Sequence, residues 1–329
     1  MKKVPLRRLP RRTVLAAALA TLVVPTLRAQ AAFPSRPLTL VVPFAPGGIA
    51  DLTARAVAEP MARMLGQPVV VDNRPSAGSI VASQFVAQAR PDGHTLLMVT
   101  NSHALSVSLF RKLPYDTVND FAAVSLIGSF DLGLFVPANS RFASLRDVLA
   151  FARAQPGKLN IATIAVGSTQ HLAAELFKTQ AGIDALVVPY KTSPAVVSAL
   201  RAGDADLAFE IIGPMLGQVS GGAVRALAVT GDERHAALPD VPTVQQSGIA
   251  RYAVSSWNAL AVPAGAPPAV IEQLNRAVRE AVVTPEVRDK LGKLGLRLRA
   301  GAPDELRNLL VSEIARWREV IRAARIEPE

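Results

Sequence analysis

The sequence predicts an α/β fold in two lobes, each built on a mainly parallel sheet flanked by helices. Short apolar runs rich in β-branched residues alternate with helical patterns, which is typical of such folds. The runs form an earlier and a later set, and further helices follow them. With 329 residues, 50% of them hydrophobic, the chain is long enough for two cores of ordinary size.

The first set of predicted strands begins with a continuous apolar run, which is typical of a strand buried on both faces. The strands of this set are Leu38–Pro43, Val69–Val71 and Thr95–Val99. The helices predicted between them are a segment that ends at Leu65, with a kink at Pro60, and the segment Ile80–Ala89.

The second set contains five predicted strands and the helices between them. The strands lie near Gly133–Val136, Leu159–Thr163, Leu186–Val188, Leu207–Glu210 and Ala226–Val229, and the clearest helices are Ser144–Ala154 and His171–Ala181. A strand-like run follows at Tyr252–Val262. The last helices begin at Pro267 and Pro303, since proline suits the first turn of a helix.

The chain must cross between the two sets twice, because the terminal helices return after the second set. We place the crossings near Phe121–Leu134 and Trp257–Val262. One lobe is therefore expected to contain residues 32–128 with 258–329, and the other to contain residues 129–257.

The N-terminus has the pattern of an export signal. Residues 1–31 hold seven basic residues and no acidic one, and an uncharged run, Val14–Leu27, precedes small residues at Ala29 and Ala31. The run is shorter than the roughly 20 residues of a membrane span. We therefore expect a signal peptide at residues 1–31 and a periplasmic mature chain. Arg11-Arg12 resembles the twin-arginine export pattern, with an ordinary secretory signal as the alternative.

Charge and motif content exclude several classes of protein. The net charge is +10, but outside residues 1–31 only 29 basic residues face 26 acidic ones, and aromatic residues make up 5%. We therefore expect no nucleic-acid partner. The chain has no cysteine, which excludes disulfides and thiolate chemistry. Because it also lacks HExxH, GxSxG, Walker A and GxGxxG motifs, we expect no enzyme, no cofactor and no metal site.

Small and hydroxylated residues recur where a predicted strand gives way to a helix. These loops are Pro46–Gly48, Ser76–Ser79, Thr100–Ser102, Gly167–Thr169 and Lys191–Ser193. Such loops leave N–H groups at helix N-termini unpaired and allow close approach to the backbone. Several of them together would bind a carboxylate through backbone donors and helix dipoles, without an arginine. For each loop alone, helix capping and turn formation is the alternative interpretation.

Longer motifs follow one another along the mature chain in a specific order and spacing. They are Phe33–Leu38, Val41–Gly48 with Asp51, Leu65–Arg74, Arg90–Gly93, Lys112–Asp116 with Asp120-Phe121, Val188–Lys191, Arg225–Thr230 and Leu238–Thr243. With these motifs the chain resembles the Bug family, the substrate-binding proteins of tripartite tricarboxylate transporters, over essentially its whole mature length. The resemblance implies a two-lobed periplasmic binding fold of the type II-like kind. A small carboxylate would be held between the lobes, partly through water, and delivered to membrane permease subunits by a monomer.

The resemblance also implies which residues bind the ligand. In the first lobe they are Phe44, Ala45, Gly47, Gly48 and Ile49, with Asp51 behind them, together with Ser76, Ala77, Gly78, Ser79, Asn101 and Ser102. In the second lobe they are Gly167, Ser168, Thr169, Lys191, Thr192 and Glu210. For Lys191, a solvated position at the rim of the cleft is the alternative to a contact with the ligand.

Departures from the family pattern concern the ligand. Ile49 stands where a small residue is usual, Ala165-Val166 replaces a Gly-Asn pair, and Glu210 replaces an aspartate. The first two changes remove polar capacity, and burying an unpaired carboxylate is costly. We therefore expect a small or partly apolar mono- or diacid rather than a tricarboxylate. A sensing role, in which closure signals to a sensor kinase, is the alternative to delivery to a permease.

Overall fold

The computed structural model describes residues 33–323 and 326–328. In this part of the chain, no helix is both long enough and apolar enough to cross a membrane. The predicted signal peptide at residues 1–31 lies outside the described residues.

Strands and helices alternate as the sequence predicts. The strands are β1 (Leu38–Val42), β2 (Val69–Asn73), β3 (Thr95–Thr100), β4 (Phe121–Pro137), β5 (Leu159–Ile164), β6 (Ala185–Tyr190), β7 (Leu207–Ile211), β8 (Val224–Val229), β9 (Ser255–Pro263) and β10 (Arg297–Leu298). The helices are α1 (Ile49–Leu65), α2 (Ile80–Ala87), α3 (Asn101–Leu109), α4 (Leu145–Ala154), α5 (Thr169–Ala181), α6 (Ser193–Ala202), α7 (Ile212–Ser220), α8 (Pro268–Val283), α9 (Pro285–Lys293) and α10 (Pro303–Ala323). Strand β10 is absent from the sequence prediction, because two residues are too few to give a recognisable strand pattern.

The strands form two groups that share β4. In the first group β1 lies between β2 and β3, parallel to both, and β9 pairs antiparallel with β3. In the second group β5 lies between β6 and β7, again parallel to both. Strand β4 pairs with β9 as far as Asp131 and with β7 from Leu132 onward. The chain therefore leaves the first group inside the predicted range, Phe121–Leu134.

The return crossing lies just before β9. The N–H of Val254 donates to the carbonyl oxygen of Thr230, which follows β8, whereas Ser255 already pairs with Asp131 of β4. This is a few residues ahead of the expected range, Trp257–Val262. Because β4 leaves the first group and β9 returns to it, the two strands are antiparallel, and each sheet is mixed rather than wholly parallel.

The C-terminal helix α10 packs against the cores of both strand groups. Leu306, Leu310 and Ile314 belong to the core of the first group. Trp317 and Ile321, one to two turns further along the helix, belong to the largest core of the second group. A single helix thus buries apolar surface on both sides of the crossings.

An ion pair between a buried aspartate and a half-exposed arginine braces the outward crossing. The side chain of Asp131, the last residue of β4 to pair with β9, is only 2% exposed. Arg297 donates to its two carboxylate oxygens at 2.6 and 2.9 Å, and the Ser255 hydroxyl donates to Oδ1 at 2.8 Å. Such charge-assisted, bidentate bonds are among the stronger interactions of folded proteins.

We expect Arg297→Met to lower the free energy of unfolding by about 2 kcal/mol, because the buried Asp131 carboxylate would lose its charged partner. The matched control is Arg299→Met, because Arg299 pairs with the exposed Glu305 at 3.5 Å. This change should lower the free energy of unfolding by under about 0.5 kcal/mol. Urea unfolding of both variants measures the difference. Equal losses for the two would contradict a bracing role for Arg297.

Candidate functional site

A narrow cavity of about 50 Å³ lies between the two strand groups. It is lined by Phe44, Gly48, Ile49, Ala50, Thr100, Ser102, Phe130, Ile164, Thr169, Gln170, Ser193, Ile211, Pro214, Ser256 and Asn258. None of these lining residues carries a charged side chain. They include residues at or beside the N-termini of five helices, α1, α3, α5, α6 and α7. The cavity therefore has the geometry of an anion site without a cationic side chain.

Three of the five helix N-termini have no side-chain cap. The residues that precede α1, α3 and α7 are Gly48, Thr100 and Ile211, and none of the three makes a side-chain capping bond. By contrast, Ser168 caps α5 and Thr192 caps α6 through their hydroxyl oxygens. The first N–H groups of a helix have no partner inside the helix. Helices α1, α3 and α7 thus offer backbone donors at the cavity.

The loop before α1 is held from behind by Asp51. Its buried carboxylate accepts hydrogen bonds from the Gly47 N–H at 2.9 Å, from Arg55 at 3.0 Å and from Asn73 at 3.0 Å. Asn73 also donates to the carbonyl oxygen of Phe44 at 2.9 Å. Burial alone would raise the pKa of Asp51, but these hydrogen bonds and the Arg55 charge lower it below its usual value. An ionised Asp51 therefore fixes the loop and does not line the cavity.

The Ser76–Ser79 segment lies beside the cavity and not among its lining residues. Ala77 is exposed, whereas Gly78 packs so closely that a Cβ there would lie 2.3 Å from the Phe110 ring. A Cβ on Gly167 would lie 3.3 Å from the backbone nitrogen of Gly78. These two glycines allow the strand groups to approach each other at the cavity edge.

Two side-chain hydrogen bonds join the strand groups next to the cavity. The Ser102 hydroxyl at the start of α3 donates to the carbonyl oxygen of Gly167 at 2.8 Å. The hydroxyls of Thr169 and Ser256 lie 2.9 Å apart. Asn101 is fully buried, and neither polar atom of its side chain has a hydrogen-bond partner among the described residues.

Glu210 lies behind the wall that α5, α6 and α7 contribute. Its Oε2 accepts from the Ile211 N–H at 2.9 Å and from the Gln170 amide at 3.4 Å, and both of these residues line the cavity. Among the described residues its Oε1 has no hydrogen-bond partner. Burial raises the pKa of Glu210, and hydrogen bonds from Ser193, Ile211 and Gln170 offset part of that increase.

The raised pKa predicts how Glu210 affects stability. A folded-state pKa above the unfolded value gives a stabilising contribution at acidic pH that is lost as pH rises through the folded-state pKa. We expect Glu210→Gln, which stays neutral, to be more stable than the wild type at pH 8, with the difference shrinking toward pH 4. Urea unfolding across this range measures it, with the exposed Glu272→Gln as control. A difference that grows toward acidic pH would contradict the assignment.

Some of the predicted binding residues line the cavity, and the others lie outside its lining. Gly48, Ile49 and Thr169 line the cavity with Phe44 and Ser102, whereas the other predicted residues lie outside its lining. Those outside are Ala45, Gly47, Asp51, Ser76, Ala77, Gly78, Ser79, Asn101, Gly167, Ser168, Lys191, Thr192 and Glu210. Lys191 is exposed, which favours the solvated position at the rim. The role of all these residues in binding stays a prediction.

Sequence reasoning missed lining residues that lie inside strands. Ser256 and Asn258 belong to β9, and Phe130 belongs to β4. A signal for two of them exists, because Ser256 and Asn258 are two residues apart in an apolar strand and therefore point to the same face. Nothing in the sequence around Phe130 distinguishes it from a core residue.

A second concavity is an open groove of about 670 Å³ on α8, α9 and β10. Its charged lining residues are Glu272, Arg276, Arg279, Glu280, Arg288 and Arg299. Acidic and basic side chains are mixed there, and the exposed pair Arg276–Glu272 lies 3.6 Å apart. Exposed ion pairs of this kind contribute little to the stability of the fold. The cavity between the strand groups is therefore the stronger candidate site.

A family model and several known proteins match the chain over most of its length. A family model described as the tripartite tricarboxylate transporter family receptor matches residues 53–326. The protein of the tcbD-tcbE intergenic region of Pseudomonas sp. (strain P51) is 39% identical over 314 residues, 94% of each chain.

Several solved structures are also similar to this chain. MatC (Rpa3494) from Rhodopseudomonas palustris with bound malate has a TM-score of 0.82 at 33% identity, over 88% of this chain and 100% of that one. Rpa4515 from R. palustris with adipate has a TM-score of 0.86 at 32% identity, over 90% of this chain and 100% of that one. The periplasmic binding protein BugD has a TM-score of 0.85 at 27% identity, over 90% and 100%.

These similarities confirm the α/β periplasmic binding fold and a receptor of solutes in place of an enzyme. The matched region spans nearly all of the described residues, including every helix that borders the cavity except the first turn of α1. The chain belongs to the tripartite tricarboxylate transporter receptor family.

Proposed function

We propose that this protein binds a small organic carboxylate in the cavity between the strand groups and delivers it to membrane permease subunits. The observation that carries the proposal is the set of five helix N-termini around a cavity with no charged lining residue. Two relatives support the ligand class, since MatC is solved with malate and Rpa4515 with adipate.

Backbone groups can hold an anion here without a cationic side chain. Each helix N-terminus stabilises a nearby negative charge by about 0.3–1 kcal/mol, and by up to about 2 kcal/mol when the site is partly buried. The uncapped helices α1, α3 and α7 add N–H donors, and hydrogen bonds to charged groups are stronger than neutral ones. Micromolar binding requires a net free energy of about 8 kcal/mol, so apolar contacts must add to these contributions and offset the cost of association.

The two strand groups act as the frameworks of the two lobes in this proposal. The lobe boundaries then fall inside β4 and just before β9, which moves residues 129–131 and 255–257 from the division expected from sequence. The hydrogen bonds from Ser102 to Gly167 and between Thr169 and Ser256 bridge the lobes in the closed arrangement. Opening breaks both bonds and exposes the uncapped helix N-termini to an entering ligand.

The proposal places the mature protein in the periplasm as a monomer without a cofactor. Two observations support the periplasmic location, namely the export-signal pattern of residues 1–31 and the similarity to BugD, a periplasmic binding protein. Cell fractionation tests this location. Recovery of the protein in the cytoplasmic fraction, with residues 1–31 still attached, would contradict it.

A thermal-shift screen of the purified protein tests the ligand class. The arms are malate, adipate, succinate, lactate and benzoate, with sodium chloride and the diamine putrescine as controls. At 100 times its dissociation constant, a ligand stabilises the folded state by about 2.7 kcal/mol. We expect at least one acid to do so and to be recovered unchanged by mass spectrometry. Stabilisation by the diamine alone, or conversion of the acid, would contradict the proposal.

A further inference from the structure

The amide of Asn258 has an orientation that its neighbours determine. Asn258 lies on β9, is fully buried and lines the cavity. Its Nδ2 lies 2.9 Å from Thr53 Oγ1, and the Thr53 hydroxyl donates to the carbonyl oxygen of Ile49 at 2.7 Å. Because the Thr53 proton is used in that bond, Thr53 Oγ1 can only accept, so the NH₂ of Asn258 must face it. The other end of the amide is therefore the carbonyl oxygen, Oδ1.

Asn258 Oδ1 is a buried acceptor without a hydrogen-bond partner among the described residues. Thr100, directly opposite Asn258 in the pairing of β3 with β9, also lines the cavity, and its buried hydroxyl is likewise unpaired within the described chain. Leaving such a group unsatisfied costs about 1–3 kcal/mol. Both residues border the cavity, so a molecule held there can satisfy them.

A carboxylate cannot satisfy Asn258 Oδ1, because an ionised carboxylate has acceptors only. The helix N-termini around the cavity supply donors, which suit carboxylate oxygens. The Asn258 oxygen is the opposite kind of group and requires a donor, which a hydroxyl group of the ligand can supply. An ammonium group is disfavoured by the positive ends of the five helices, and a neutral hydroxyl is not.

We propose that Asn258 is a specificity-determining residue that accepts a hydrogen bond from a hydroxyl group of the ligand, so that the receptor prefers hydroxycarboxylates to the corresponding unsubstituted acids. Thr100 lies next to the same hydroxyl and can donate to it or accept from it. This inference rests on the proposed binding of a carboxylate in the cavity. Sites built to bind a substrate hydroxyl discriminate strongly against analogues that lack it, because their polar groups are then left unpaired.

Calorimetry with matched ligands tests the preference in the wild-type protein. One series is malate, 2-fluorosuccinate and succinate, and the other is lactate, 2-fluoropropionate and propionate, with both enantiomers of each substituted acid. Fluorine resembles a hydroxyl in size but cannot donate. We expect one enantiomer of malate or of lactate to bind at least about tenfold more tightly than both of its partners.

The variant Asn258→Ala removes the acceptor without adding bulk to the cavity wall. It should lose the preference, so that the hydroxy acid and the unsubstituted acid bind with similar affinities. Asn258→Val also lacks the acceptor, suits a β-strand, and serves if the alanine variant fails to fold. Equal affinities within both wild-type series, or a preference that survives in a folded variant, would overturn the role of Asn258. Such results leave the proposed function intact, whereas failure of every acid to bind would overturn the proposed function itself.

Discussion

We expect the Gly48→Val protein to fold normally and to lose carboxylate binding, with an increase in Kd of about a hundredfold or more. Gly48 precedes α1 with φ −78° and ψ 167°, a conformation that valine adopts readily. A Cβ there would meet only the Ala45 carbonyl oxygen, at 3.7 Å. The side chain would instead cover the free N–H groups of α1. Losing two hydrogen bonds to a charged group costs about 3 kcal/mol or more, which corresponds to that factor.

Two variants control for other causes of lost binding. Lys191→Ala removes an exposed cation outside the cavity and should change Kd by less than about tenfold. Gly217→Ala adds a methyl group to α7, where nothing lies within 4 Å of the new atom. Calorimetry on the three variants measures the change in Kd for each. Normal binding by Gly48→Val together with lost binding by Lys191→Ala would show that a cationic side chain captures the anion.

The second large effect concerns ligand size. We expect citrate to bind at least about a hundredfold more weakly than the best mono- or dicarboxylate. Seven of the lining residues have apolar side chains, namely Phe44, Ile49, Ala50, Phe130, Ile164, Ile211 and Pro214. A third carboxylate would be buried against these side chains without enough donors, which is costly.

Ile49 allows a direct test of that explanation. It is 7% exposed, lines the cavity and stands at the first position of α1. Replacing it with glycine should narrow the gap between citrate and succinate, because space and water enter beside the helix N-terminus. A thermal-shift series on both proteins measures the gap. The largest shift from citrate in the wild type, with none from smaller acids, would contradict the account.

Part of the site could be predicted because it belongs to local strand–loop–helix units. Gly48 and Ile49 follow a buried strand and open a helix, so sequence alone places them at the carboxyl end of a sheet, where ligands bind in such folds. Ser102 and Thr169 follow from the same reasoning. Each of these four residues lines the cavity.

The remainder depends on which elements face each other, which local patterns do not specify. Ser168 and Thr192 cap their helices with the same hydrogen bond as any cap far from a ligand, so their pattern cannot show whether they reach the cavity. Asn258 and Phe130 enter the site only because β4 and β9 pair in the middle of the structure. That pairing joins residues more than 120 positions apart, and its register is not encoded in either strand alone.

The most direct test of anion capture by backbone groups is a crystal structure of the protein with the tightest acid from the thermal-shift screen. We predict a carboxylate between the strand groups, accepting from N–H groups at the N-termini of α1 and α3 at 2.7–3.2 Å, without a lysine or arginine side chain in contact. A carboxylate bound instead by Arg276, Arg279 or Arg288 in the open groove on α8 and α9 would contradict it.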